Sequence, residues 1–124
     1  NMHPSLSEFL GHIRDELAFL LRWSANLTYD EFVNDDLFPR AFVRSFEIIG
    51  GACKHVPDEF RLKYPQFDWR GFAGLRDKAI HHYWGIDYQI VWSALQDEVA
   101  TGKDWIDFIL EQENHDQPPH HPVR

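Results

Sequence analysis

SLSEFLGHIRDELAFLLRWS, residues 5–24, decides the fold class. Leu6, Phe9, Leu10, Ile13, Leu17, Leu20 and Leu21 recur three, four and seven apart, which gathers them on one stripe of an α-helix. Ser5 followed three residues later by Glu8 has the spacing of a capping box, so a helix is predicted over about residues 6–24. Downstream, Thr28 and Glu31 form a second such box and open a short helix through Asn34. Phe38, Phe42, Phe46, Ile49, Ala52, Cys53 and Val56 continue the helical period and stop before Pro57. Between Pro57 and Pro65 there is room for one or two turns, because each proline pushes the residue before it out of the helical region.

From Trp69 the chain reads helical to about Tyr83, with Gly85 as its C-terminal stop and Asp87 as the cap of the next helix. That helix carries Tyr88, Val91, Trp92, Leu95 and Val99 on one face, with Ile86 and Val91 spaced as a hydrophobic staple, and is expected to end at Gly102. Trp105, Ile106, Ile109 and Leu110 mark a last amphipathic helix. No segment alternates with period two for long enough to make a strand, and no repeat is visible. The expected fold is all-α, an up-and-down bundle of four to five main helices in one domain over residues 1–114, with a mobile tail over 115–124.

Composition agrees with one packed domain. The chain has 124 residues, 44% of them hydrophobic and 15% aromatic, enough to bury a substantial core. Its net charge of -8 has the wrong sign for coating nucleic acid through bulk charge, so any RNA contact must be local. Cys53 is the only cysteine, which excludes an internal disulfide. No basic-then-apolar leader is visible and the longest apolar run is Leu17 to Leu21, against about 20 residues for a bilayer span. A cytoplasmic protein without a membrane segment is expected, and Asn1, which precedes Met2, is set aside as extraneous. Gly50 and Gly51 fall inside a predicted helix, where each costs up to about 1 kcal/mol relative to Ala. They serve either a close helix approach or a groove for a ligand backbone.

The chemistry is concentrated in DWRGFAGLRDKAIHHYWGIDYQIVW, residues 68–92, where Arg76, Asp77, Lys78, His81, His82 and Tyr83 stand within eight residues. A polar run on a helix is commonly a solvated face. Here, however, two adjacent His are followed by Tyr and Trp, which a merely solvated face does not need. On one straight helix Arg76 and Tyr83 lie about 20° apart, whereas Arg76 and His81 differ by about 140°. Asp77 and His81, four apart, share a face, so the carboxylate can fix the imidazole tautomer; His82 falls nearer Lys78. A site using both Arg76 and His81 then needs a distorted helix end or a second copy of the chain, and a symmetric dimer is the favoured answer.

Arg76, His81 and Tyr83, in RDKAIHHY, resemble the Arg-x4-His-x-Tyr motif of the HepT-type toxins, a branch of the HEPN ribonucleases. The resemblance extends to WGIDYQIVW behind the motif and FDWRGFAGL before it. It also takes in FVRSFEIIGGACKHVP, similar to the family's Arg-x-x-Glu-Ile-Ile-Gly helix through Arg44, Glu47, Ile48, Ile49 and Gly50. Roughly residues 6–110 are covered. The sequence departs from the pattern at Asp77, where Asn is also common, and at Gly51, where an acidic residue is often seen.

The resemblance implies an all-α bundle, a homodimer whose two motifs face each other, and metal-independent endoribonuclease activity that uses no cofactor. Arg76 and His81 would be catalytic and Asp77 supporting. It further implies a type VII-like HEPN/MNT toxin-antitoxin system, in which a minimal nucleotidyltransferase antitoxin silences the toxin by transferring AMP to the motif tyrosine, here Tyr83. RNA would be the substrate, with no role for DNA.

Metal-free RNA cleavage needs a base for the 2′-hydroxyl, a stabiliser for the phosphorane and an acid for the leaving 5′-oxygen. Histidine suits the first and third roles and arginine the second. One copy offers one motif histidine, so two copies would supply base and acid. The rival reading is a non-catalytic HEPN-like nucleotide-binding or scaffold subunit partnering a nucleotidyltransferase. A metal site built on His81 and His82, or on His115, His120 and His121, is disfavoured. Adjacent helix positions diverge by about 100°, and the tail histidines lack a scaffold. Arg44 and Glu47 are expected to pair within their helix, Trp84 and Trp92 to serve the core or a dimer contact, and Cys53 to be a small buried residue.

Overall fold

A computed structural model of the chain describes residues 2–81 and 85–116. Among the described residues seven helices appear in order: α1 (Pro4–Ser24), α2 (Tyr29–Val33), α3 (Phe38–His55), α4 (Asp58–Lys63), α5 (Trp69–Ala79), α6 (Tyr88–Asp97) and α7 (Val99–Asp116). Between α5 and α6 two residue pairs, β1 (Ile80–His81) and β2 (Gly85–Ile86), form an antiparallel ribbon. The all-α expectation holds, with five main helices and two short ones.

Local chemistry explains the boundaries. The Thr28 box forms in full: Thr28 Oγ1 accepts from Glu31 N at 3.1 Å, and Glu31 Oε1 accepts from Thr28 N at 2.9 Å. Asp87 caps α6 as expected, accepting from Ile90 N, and Asp68 caps α5 by accepting from Gly71 N. The Ser5–Glu8 box does not form. Instead α1 starts earlier, with Pro4 in its first turn, and His3 caps it by accepting from Ser5 N. Nor does α6 run to Gly102: it ends at Asp97, and Gly102 lies inside α7. A Cβ at Gly102 would come within 3.0 Å of the Phe72 ring, so that glycine sets a close helix approach rather than a stop.

One continuous core runs through the bundle, built from Leu10, Ile13, Leu17 and Leu20 of α1, Phe42, Phe46 and Ile49 of α3, Phe72 of α5, Val91 and Leu95 of α6, and Ile106 and Ile109 of α7. Each such side chain contributes about 1.5–3 kcal/mol by leaving water. At the centre is α3, packed against α1 on one side and α5 on the other. Cys53 is fully buried there, and desolvation pushes its thiol pKa up to about 12. Trp92 is partly buried against the core, where it meets the Tyr29 and Phe32 rings, in keeping with the first of the two roles expected of it.

The α4 connector is tied down by Glu113 of α7, which accepts hydrogen bonds from the Tyr64 hydroxyl and, at 2.9 Å, from Lys63 Nζ. Burial pushes the Glu113 carboxyl up. The two hydrogen bonds and the Lys63 charge outweigh that and hold it below the ordinary value. Because α7 continues to Asp116, residues 115 and 116 belong to the bundle, while the rest of the expected tail, 117–124, lies outside the described residues. Among the described residues, no helix is long and apolar enough to cross a membrane.

Candidate active site

α3 and α5 approach closely at Gly50. A Cβ there would stand 2.9 Å from the Phe72 carbonyl oxygen and 3.4 Å from that of Ala73, contacts that only glycine avoids. The close-approach reading therefore holds for Gly50. Gly51 is exposed, with nothing within 4 Å of an added Cβ, so packing among the described residues does not explain it.

One turn before Gly50, Glu47 reaches across to α5, and its Oε2 accepts a hydrogen bond from Arg76 Nε at 2.6 Å. The Arg76 side chain is 54% exposed and that of Glu47 24%. Hydrogen bonding to Glu47, and then its negative charge, raise the guanidinium pKa further above its already high value, so the group is permanently cationic. Asp77 Oδ1 lies 3.7 Å from Arg76 Nη1, within ion-pair range but too far for a hydrogen bond. This arrangement corrects the expected Arg44–Glu47 pair: Glu47 turns to α5, and Arg44 is exposed on α3. Geometry within one helix cannot reveal such a contact, which is made between helices 29 residues apart in sequence.

The second correction concerns the segment that carries the motif. α5 ends at Ala79, not near Tyr83: Ile80 is extended, with φ -117° and ψ 121°. Ile80 pairs with Ile86 and His81 with Gly85, and Asp87 N donates to Ala79 O at 2.6 Å, closing the ribbon. Gly85 takes φ +81°, a left-handed conformation open to glycine, and so turns the chain within the ribbon rather than stopping a helix. β-branched Ile80 favours the extended state, and Asp87 gains by capping α6. His81 is thus on β1 and not on a helical face. The 140° separation from Arg76 and the Asp77–His81 pairing on one helical face lapse with the helix that implied them, and the placement of Tyr83 relative to Arg76 lies outside the described residues. His82, Tyr83 and Trp84 lie outside the described residues.

Of the sequence-singled residues, Arg76 and Asp77 are adjacent near the end of α5, and His81 follows on the ribbon that continues it. A cavity of about 160 Å³ beside α5 is lined by Asp68, Gly71, Phe72, Leu75, Lys78 and Glu98 and does not include Arg76. Among the described residues no three His, Cys, Asp or Glu side chains gather in a way that could hold a metal ion. His115 is 3.4 Å from Glu111 one turn back on α7, while His120 and His121, the other two members of its candidate cluster, lie outside the described residues.

Comparison with known proteins assigns the chain. The family model described as "Ribonuclease HepT-like" matches residues 13–109. A protein of Caldanaerobacter subterraneus subsp. tengcongensis named "Putative RNase" is 41% identical over 105 residues, covering 85% of this chain and 94% of its own length. Another of that name, from Methanocaldococcus jannaschii, is 40% identical over 102 residues, 82% of this chain and 84% of its own. A "Probable ribonuclease HepT" of Thermococcus cleftensis is 29% identical over 102 residues, 82% of this chain and 93% of its own. No solved structure gives a significant match. With a family model spanning most of the helical bundle and relatives aligned over nearly their full length, this chain belongs to the HepT-like ribonuclease family.

Proposed function

We propose that this protein is the toxin of a HEPN/MNT toxin-antitoxin system, a metal-independent endoribonuclease that cuts RNA with Arg76 and His81. The observation that carries the reading is the Arg76 guanidinium itself. In a chain of this family it is exposed, permanently charged and, among the described residues, hydrogen-bonded through Nε alone, so its Nη groups can face a phosphate. In the reaction an imidazole takes the proton from the 2′-hydroxyl, whose oxygen attacks the adjacent phosphorus. Arg76 stabilises the charge on the phosphorane, and a second imidazole gives a proton to the departing 5′-oxygen. Asp77 supports the site by limiting how strongly the guanidinium holds RNA in the ground state.

The homodimer now rests on chemistry rather than on helix geometry. Each copy has one motif histidine, and base and acid call for two. Silencing by AMP transfer to Tyr83 from a nucleotidyltransferase antitoxin rests on the family resemblance. A bulky anion added within the motif segment would oppose RNA binding by its charge and its size.

The test is incubation of purified protein with total RNA in EDTA. Wild type should fragment the RNA, and Arg76→Ala and His81→Ala should each leave it intact with the fold unchanged, while His82→Ala should have much the smaller effect. If His82→Ala were the inactive variant, the wrong histidine has been assigned. Full activity from a monomeric species would remove the dimer from the account.

A further inference from the structure

An arginine on an exposed helix face is a poor tool for transition-state binding unless something orients it, because its long side chain samples many rotamers. Glu47 supplies the restraint. Its own backbone is fixed between buried Phe46 and Ile49, and the α3–α5 spacing across Gly50 brings its carboxylate to Arg76 Nε at 2.6 Å. Among the described residues only Nε is hydrogen-bonded; Asp77, 3.7 Å from Nη1, is within ion-pair range. The hydrogen bond therefore sets the plane of the guanidinium and leaves the Nη edge available.

We propose that Glu47 is a positioning residue for RNA cleavage, acting through Arg76; this rests on the reading that Arg76 meets the scissile phosphate. A carboxylate beside a phosphate site weakens ground-state binding by its charge, while orientation of the guanidinium is felt mainly in the transition state. Glu47→Gln keeps the size and an acceptor oxygen but removes the charge that holds the guanidinium. Cleavage at saturating RNA should fall by on the order of 10- to 100-fold, while RNA affinity stays the same or tightens. A role in stability alone would move the melting temperature and leave this split absent.

The experiment measures single-turnover cleavage and RNA affinity for wild type, Glu47→Gln, Glu47→Asp, Arg76→Ala and the double variant Arg76→Ala/Glu47→Gln. The Arg76 Nε–H resonance, identified by its loss in Arg76→Ala, reports the pairing directly. The expected result is a slower Glu47→Gln without weaker binding, partial recovery in Glu47→Asp, a double variant no worse than Arg76→Ala, and a shifted, faster-exchanging Nε–H. Wild-type rates in Glu47→Gln, a loss confined to affinity, or an equal further loss in the Arg76→Ala background would overturn the inference and leave the ribonuclease reading standing. A wild-type protein that cleaves no RNA, or an Arg76→Ala variant that cleaves like wild type, would overturn that reading and the purpose given to Glu47 with it.

Discussion

Gly50 and Gly51 are neighbours in one helix, yet substitution by alanine should act on them with opposite sign. In a helix interior, Ala is favoured over Gly by about 1 kcal/mol, because Gly loses more backbone freedom on folding. At Gly51 a Cβ meets nothing within 4 Å, so that gain should appear nearly in full. For 124 residues the entropy of unfolding is about 0.26 kcal/mol per degree, so Gly51→Ala should raise the melting temperature by about 4 °C.

At Gly50 the new methyl would lie 2.9 Å from the Phe72 carbonyl oxygen, which is backbone and cannot rotate away. α3 and α5 must separate, at a cost of about 1–3 kcal/mol, and the propensity gain offsets only part of it. The net effect should run from no gain at the lower end of that range to a fall of about 8 °C at the upper end, against the rise of about 4 °C at Gly51. The same separation stretches the Glu47–Arg76 hydrogen bond one turn away, so Gly50→Ala should also lose cleavage activity, whereas no change within the chain predicts that for Gly51→Ala. Differential scanning calorimetry together with a nuclease assay reads both effects. Stabilisation by Gly50→Ala comparable to that by Gly51→Ala would refute the claim that this glycine sets the helix spacing.

Glu113, held below its ordinary pKa in the folded state, should contribute stability that is fully present above the unfolded carboxylate value and lost as pH falls through the folded one; urea midpoints should drop along that acid limb, less steeply in Glu113→Gln. Cys53, buried with its thiol pushed up to about 12, should resist an aromatic disulfide reagent at pH 8 in the native protein and react fully in denaturant. Tyr83→Phe should escape the AMP addition that intact mass spectrometry detects on wild type after incubation with ATP and the nucleotidyltransferase antitoxin. Equal labelling of both proteins would move the modified site elsewhere.

The helical bundle was legible because its apolar stripes are long and regular, as in Leu10–Ile13–Leu17–Leu20, all four fully buried. Caps read well where the side chain had no rival, as at Thr28 and Asp87, and failed at Ser5, where Pro4 lets the helix begin two residues sooner. Local preference also misplaced Gly102, which resembles a stop but is needed where α7 passes close to Phe72 and Leu17. Arg76, Asp77 and His81 were singled out from spacing and resemblance, but the turn of the chain at Ile80 was not. A two-residue ribbon offers no periodicity, and its closure depends on the Asp87–Ala79 hydrogen bond and the left-handed Gly85. Glu47 stood inside the quoted family motif, yet its partner could be found only once α3 and α5 were placed side by side.

The chemical ends left on cleaved RNA test the central claim most directly. Attack by the 2′-hydroxyl, with an imidazole as base and Arg76 on the phosphorane, leaves a 2′,3′-cyclic phosphate on one fragment and a 5′-hydroxyl on the other. Mass spectrometry of a defined oligoribonucleotide cut by wild-type protein in EDTA should find those ends, and should find none with His81→Ala or when the 2′-hydroxyl at the scissile position is replaced by hydrogen. Fragments ending in 3′-hydroxyl and 5′-phosphate, or cleavage persisting in His81→Ala, would contradict the account.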